Sequence, residues 1–435
     1  MKLHGWGRYP VVDANLYAPK TTDALQRFVK DRNHVGITPK GLGRSYGDSS
    51  LGNTVVSTRY LDHILAFDEV TGIVHCSGGV TLDDLLNIFA PCGWFLPVTP
   101  GTRFVSIGGA IASDVHGKNH HREGCFCDHI ASLQLLLADE RIVTCSRTEY
   151  PDLFHATCGG MGLTGIILSA SLQLKSIKST LIDQTTLKAK NIEEVLALFE
   201  AQADKTYSVA WIDCIAKDSS LGRSLLMVGE HSPDGGYLMQ NKPAIGLPFD
   251  MPSQLLNRFS VQAFNTLYYN RIMKNAVKSK VHYTAFFYPL DSINDWNRLY
   301  GKNGFTQYQF VIPKAAGQEG MTKILQLIAA SERGSFLAVL KAFGKQNDNL
   351  LSFPMEGYTL ALDFKVDPGL FPLLDKLDAM ILDYGGHLYL SKDARMSEET
   401  FKKGYSTWER FQSIREAYGV KGIFTSHQSK RLGLD

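Results

Sequence analysis

Through the first 175 residues, apolar positions recur in short alternating runs broken by polar or glycine-containing turns. A two-residue apolar period predicts strands. One hairpin is expected over residues 64–79, turning at Glu69-Val70-Thr71-Gly72. A second pairs 133–137 with 142–145 around Ala138-Asp139-Glu140-Arg141, and 166–174 reads as a further strand. Thr81-Leu82-Asp83-Asp84 has the form of a capping box opening a helix over 85–89. The patterning is α+β, without the regular βαβ alternation of a doubly wound sheet.

From about residue 180 the character changes. Strand-like runs at 207–214, 283–288, 307–312, 336–343 and 358–364 are interspersed with helical periodicity at 192–202, 321–331 and 370–382. A mostly antiparallel sheet with helices on one face is predicted. Residues 232–275 show no clear period, and long irregular segments in compact domains tend to be functional or mobile. A chain of 435 residues is expected to form two domains.

Composition narrows the function classes. A hydrophobic content of 44% with 20% charged residues is that of a globular protein. A net charge of +2 argues against a broad nucleic-acid surface. The seven cysteines are odd in number, irregularly spaced and confined to the first half, which favours a reducing compartment over a disulfide scaffold. Cys125-Phe126-Cys127 is CxC with no partner pair at zinc spacing, so no metal is expected. The opening residues lack a signal-peptide core, and no window approaches the ~20 apolar residues of a membrane span. A cytoplasmic location is expected, at most peripheral at a membrane.

The 39 glycines change the picture most. Three clusters stand out: Gly41-Leu42-Gly43-Arg44-Ser45-Tyr46-Gly47; Pro100-Gly101-Thr102 with Gly108-Gly109-Ala110-Ile111-Ala112; and Gly159-Gly160-Met161-Gly162-Leu163-Thr164-Gly165. Successive glycine-rich amides can point into one concavity and bind phosphate oxygens. Each cluster alone could be a set of tight turns; three together favour a dinucleotide site. Tyr46 occupies the third glycine position of a Rossmann fingerprint, so NAD in that fold is disfavoured. His116-Gly117-Lys118-Asn119-His120-His121 follows the second cluster and reads as a polar wall rather than a metal site. Lys341 interrupts the apolar run 336–340, so it should meet an anion or carry an altered pKa, unless an edge strand lets it reach water. Gln307 and Gln309, two apart, share one strand face, which suits a polyhydroxylated ligand or an ordinary solvated surface.

Gly-Leu-Gly-Arg-Ser-Tyr-Gly-Asp, Pro-Gly-Thr-Arg, Gly-Gly-Ala-Ile-Ala, His-Gly-Lys-Asn-His-His and Gly-Leu-Thr-Gly-Ile-Ile together resemble the decaprenylphosphoryl-β-D-ribose 2'-oxidase family of the vanillyl-alcohol-oxidase superfamily. The likeness continues through Ala210-Trp211-Ile212-Asp213, residues 307–313 and Lys341-Ala342-Phe343-Gly344 to Tyr389 and Lys392-Asp393. It implies an FAD-binding domain built from residues 1–178 and 387–435, with a substrate domain, 179–386, inserted between. It also implies noncovalent FAD, because Arg44 stands where many superfamily members place the histidine that links the flavin.

By the same resemblance, FAD meets Gly41, Gly43, Arg44, Ser45, Tyr46, Gly47, Pro100, Gly101, Thr102, Gly108, Gly109, Ala112, Ser113, His116, Gly117, Asn119, Gly162, Gly165, Ile167 and Lys392. Lys392, His116, Tyr46 and Lys118 are the catalytic candidates. Trp211, Phe287, Gln307, Gln309, Lys341, Thr359 and Ala361 are expected to face substrate. The family's well-known enzymes carry Asn-x-Cys where Thr359 and Ala361 stand and tyrosine in place of Phe287, which leaves substrate identity open.

The implied reaction is oxidation of the 2'-hydroxyl of a polyprenylphosphoryl-β-D-ribose, with an NAD(P)H-dependent short-chain reductase as partner completing an epimerisation. A soluble alditol or aldonolactone oxidase is the alternative enzyme, and a flavin or sugar-binding module without activity is the third reading. The basic and aromatic segment holding Arg258, Tyr268, Tyr269, Arg271 and Lys274 could meet a lipid phosphate at a membrane surface or be a surface loop.

Overall fold

The fold is known from a computed structural model that describes residues 1–31, 36–240, 245–252, 256–335 and 337–435. Its first half holds a three-stranded and a five-stranded sheet, besides two two-stranded ribbons, Lys2–His4 with Val11–Asp13 and Trp94–Phe95 with Lys175–Ser176. Asn15–Tyr17, Ile37–Lys40 and Thr54–Ser57 form a parallel sheet, with helix Thr22–Lys30 crossing between the first two. The pattern did not announce this one βαβ unit, because its strands are only three or four residues long. The other sheet is antiparallel, ordered Ile142–Ser146, Ile130–Leu136, Ile166–Gln173, Ile73–Ser77, Ile64–Asp68. Both expected hairpins are present. Thr81 and Asp84 exchange the two hydrogen bonds of a capping box at the head of helix Leu82–Phe89.

Residues beyond 180 build one eight-stranded antiparallel sheet. Its order is Ala276–His282, Leu181–Ala189, Ser224–His231, Tyr207–Ile212, Ala338–Phe343, Gly357–Lys365, Phe305–Pro313, His387–Leu388. Helices Ile192–Ala201, Gly317–Ala330 and Leu370–Asp383 cover one face, where Ala210, Leu226, Phe310, Leu340 and Leu360 enter a shared core. Phe336, the first residue of the strand expected over 336–343, lies outside the described residues.

Two expectations need correction. Residues 283–288 are not a strand: Tyr283–Phe287 is a short helix, capped by the His282 side chain accepting from the Thr284 N–H. Tyr283, Phe286 and Phe287 follow a three-to-four spacing, and a short apolar run cannot by itself distinguish helix from strand. The segment 232–275, read as irregular, holds the thirteen-residue helix Arg258–Asn270. Asn257 caps it, yet its buried face has only Val261 and Asn265, so no inward apolar stripe marked it.

The C-terminal segment returns to the first half. Ile37 exchanges backbone hydrogen bonds with Ile423 and Thr425, extending the parallel sheet, and the Tyr46 N–H donates to the Ser391 carbonyl at 3.0 Å. Arg431 lies between two carboxylates, 2.7 Å from Asp48 Oδ1 and 2.8 Å from Asp393 Oδ2. Both aspartates are buried, so removing the guanidinium strands two charges. Arg431→Ala is expected to lower unfolding stability by about 3–5 kcal/mol in a urea titration; a loss below about 1 kcal/mol would show that this clamp is dispensable.

Candidate active site

The three glycine clusters meet. A Cβ on Gly41 would fall 2.2 Å from Ser106 Oγ, so the first loop lies against the second. The N–H groups of Gly159 and Met161 donate to the carbonyls of Ile111 and Ala112, joining third to second. Gly162, at φ +77°, packs on Pro39, closing the circle. Among the described residues, the amides of Leu42, Gly43, Arg44 and Ser45 have no partner in the protein, and Gly101 faces open space. Bare amides on glycine loops fit the anionic diphosphate of a dinucleotide. Arg44 stacks its guanidinium 4.0 Å from the Trp6 ring at the edge of this loop.

Asp114 holds the turn that carries His116. Held at φ +37°, this buried carboxylate accepts from the Cys127 N–H, the Asn347 and Asn349 amides and the Ser352 hydroxyl, at 2.7–3.0 Å. His116 then sits in an aromatic cage, its ring centre 4.8 Å from Phe343, 5.5 Å from Phe353 and 5.1 Å from Tyr389. The Gln309 amide donates to its Nε2 at 3.1 Å, which puts the proton of the neutral ring on Nδ1, an atom with no partner among the described residues. Burial, reinforced by the charges of Lys341, His120 and Lys392, pushes the His116 pKa well below the usual histidine range. The ring is therefore neutral at pH 7.

Strand register assembles the opposite wall. Gln309, Ala361, Val339 and Trp211 are successive cross-strand partners, forming one row on the face turned away from the helices. Val311, Thr359 and Lys341 form the next row, and Gln307 with Asp363 a third. Six of the seven residues expected to face substrate thus share one face of four adjacent strands. Phe287 does not join them: it packs in a buried aromatic cluster with Phe95, Tyr207 and Phe286. Lys118 lies beside that cluster, donating to the Phe286 carbonyl with its ammonium 4.6 Å from the Phe286 ring.

Lys392 has its ammonium 3.9 Å from the centre of the Tyr46 ring. Tyr46 is buried and makes an edge contact with Phe305. Burial lowers Lys392 to about 7, with the Lys341 charge adding to the effect and Asp363 opposing it. Burial and then Lys341 bring Lys118 to about 7, and burial alone brings Lys341 to about 8. All three lysines are half-buried, and the charge of Lys341 acts on both of the others. Asp363 was missed by sequence reasoning. Its Oδ1 accepts from Gln307 Nε2 at 2.6 Å and its Oδ2 from the Tyr300 hydroxyl at 3.2 Å, and burial raises it to about 7. Strand alternation from Thr359 and Ala361 leads directly to it. Among the described residues, no group of three or more histidine, cysteine or acidic side chains could hold a metal ion.

Residues 14–146 match the FAD binding domain family. Decaprenylphosphoryl-β-D-ribose oxidase of Mycolicibacterium smegmatis is 36% identical over all of this chain and 97% of its own length. The chain belongs to that oxidase family. FAD is its cofactor, and it is an FAD-dependent oxidoreductase. Partial relatives share less: D-lactate dehydrogenase of Anaerostipes hadrus is 28% identical over 45% of this chain and 42% of its own length. A putative D-arabinono-1,4-lactone oxidase of Neurospora crassa is 27% identical over 36% of this chain and 28% of its own length.

A Cβ on Gly47 would lie 1.7 Å from the Asp393 carbonyl oxygen, a backbone atom one residue from Lys392. Gly47→Ala should therefore displace the C-terminal segment and lower the FAD-to-protein ratio of the purified chain, read from its absorption spectrum. Gly246→Ala, with nothing within 4 Å, should keep full flavin content. Equal flavin content in the two variants would contradict the close packing at Gly47.

Proposed function

We propose that this chain oxidises the 2'-hydroxyl of a polyprenylphosphoryl-β-D-ribose to the 2'-keto sugar. The observation that carries the reading is the convergence of three half-buried lysines, Lys118, Lys341 and Lys392, beside the face lined by His116, Gln309 and Thr359. Half-buried cations with no carboxylate at ion-pair distance among the described residues are costly and are stabilised by an anion. A phosphorylated sugar supplies that anion, whereas a neutral alditol does not. We read the chain as an FAD-binding domain from residues 1–178 and 387–435 with a substrate domain, 179–386, inserted between them. The return of Ser391 and Arg431 to the first glycine loop supports it.

FAD, held without a covalent link because Arg44 replaces a linking histidine, supplies the hydride acceptor. The protein's own contribution is orientation and charge. Loop amides and Arg44 would hold the diphosphate. Lys392, anchored over Tyr46, would set positive charge beside the reacting end, where reduction builds up negative charge. Gln309 would fix the tautomer of His116, leaving its Nδ1–H to orient the sugar hydroxyl by donating to its oxygen. Lys341 and Lys118 would face the substrate phosphate, with Gln307 and Trp211 forming pocket wall. A separate NAD(P)H-dependent short-chain reductase would then consume the ketone.

The test is anaerobic bleaching of the flavin by polyprenylphosphoryl ribose, with no bleaching by free alditols; the reverse preference would favour the alditol-oxidase reading. A pH series adds a signed expectation. Lys341 loses its proton as pH rises through about 8, so attraction for the phosphate, and with it kcat/KM, should fall above that pH. Lys341→Met should cut kcat/KM roughly tenfold to a hundredfold below that pH, the worth of a charge-assisted contact, and flatten the descending limb, to which Lys118 and Lys392 also contribute. A limb of unchanged depth in the variant would exclude Lys341 as the phosphate anchor.

A further inference from the structure

Helix Arg258–Asn270 carries its apolar residues on the wrong side for a core. Val261 and Asn265 face inward, where the Asn265 amide donates to the buried Asp213 carboxylate at 2.7 Å and Tyr268 packs on Trp211. Phe259, Ala263 and Leu267, each four residues apart, form an outward stripe, with Phe259 77% and Leu267 74% exposed. Met273, just past the helix, is 87% exposed. Single exposed apolar residues are ordinary, but a contiguous stripe of this kind marks an interaction surface.

Charge says what the surface meets. The forty residues 251–290 hold five lysines and arginines (Arg258, Arg271, Lys274, Lys278 and Lys280) and no aspartate or glutamate, in a chain whose net charge is only +2. Lys274 and Lys278 are exposed and follow the helix directly. Lysines on the edge strand Ala276–His282 could merely discourage strand pairing, but that role leaves the apolar stripe unexplained. Arg258 and Lys280 pair with Glu332 and Asp183, whereas Lys274 and Lys278 have no carboxylate at ion-pair distance among the described residues; an apolar stripe beside such exposed lysines is the pattern of a helix lying in a lipid interface.

The helix also sits over the site. Asn257, Arg258 and Val261 line a cavity of about 130 Å³ that reaches Tyr300 and Asp363, and Tyr268 covers Trp211 of the substrate-facing row. We propose that this helix lays its Phe259–Leu267 stripe onto an anionic bilayer, with Lys274 and Lys278 at the headgroups, so that the pocket opens toward the lipid. The proposal rests on the reading of a lipid-linked substrate, yet vesicle binding requires no turnover and can fail independently.

The experiment is co-sedimentation of the full FAD-loaded chain with phosphatidylglycerol–phosphatidylcholine vesicles and with pure phosphatidylcholine vesicles. Binding should favour the anionic vesicles and weaken with salt. Lys274→Gln/Lys278→Gln should lose about fivefold per lysine. Phe259→Ser/Leu267→Ser should lose at least about tenfold. Both variants should keep their flavin and their bleaching by a short, water-soluble prenylphosphoryl ribose. No sedimentation with either vesicle, or unchanged sedimentation of the serine variant, overturns the proposal and leaves the face to a protein partner.

Discussion

The contact between the first glycine loop and residues 391–393 is the constraint on which the site depends. Gly47 is packed so closely on the Asp393 carbonyl that no side chain fits between them. The neighbouring Tyr46 amide is committed to Ser391, and Arg431 ties Asp48 to Asp393. Loop and tail therefore behave as one body. Lys392 reaches the Tyr46 ring because the tail has no freedom to place it elsewhere. The same loop leaves four amides without protein partners among the described residues, so their exposure and the position of Lys392 are set by one piece of packing.

Electrostatics then gives the sheet face its chemistry. Each half-buried lysine would be easier to hold neutral, and loss of solvation moves all three toward neutral pH. His116, in the same field, is held neutral outright. The result is a region whose positive charge is readily strengthened by an arriving anion, beside a neutral imidazole. Asp363, linked to Gln307 and Tyr300, moderates this charge at Lys392.

Much of this was legible in the sequence where local chemistry is decisive. Glycine clusters need no neighbours to signal unusual loops, and Thr81 with Asp84 encodes its capping box within four residues. The alternation at Gln307 and Gln309 correctly gave a shared face. Which face of the sheet it was, and that Lys341 and Trp211 join it, depends on cross-strand register that no single strand carries. Phe287 shows the limit: its aromatic neighbours come from Phe95 and Tyr207, far away in sequence, and draw it into the core. Helix Arg258–Asn270 escaped notice for the opposite reason, since its apolar period points outward. Asp114 was visible as a residue, but its four donors lie up to 238 positions away.

The central claim, that converging glycine loops hold an FAD without a covalent bond, is tested most directly by the visible absorption spectrum of the purified chain before and after denaturation. The account predicts yellow protein whose flavin passes entirely into the supernatant as FAD when the chain is precipitated. A colourless protein that takes up no added FAD, or flavin that stays with the precipitate, would contradict it.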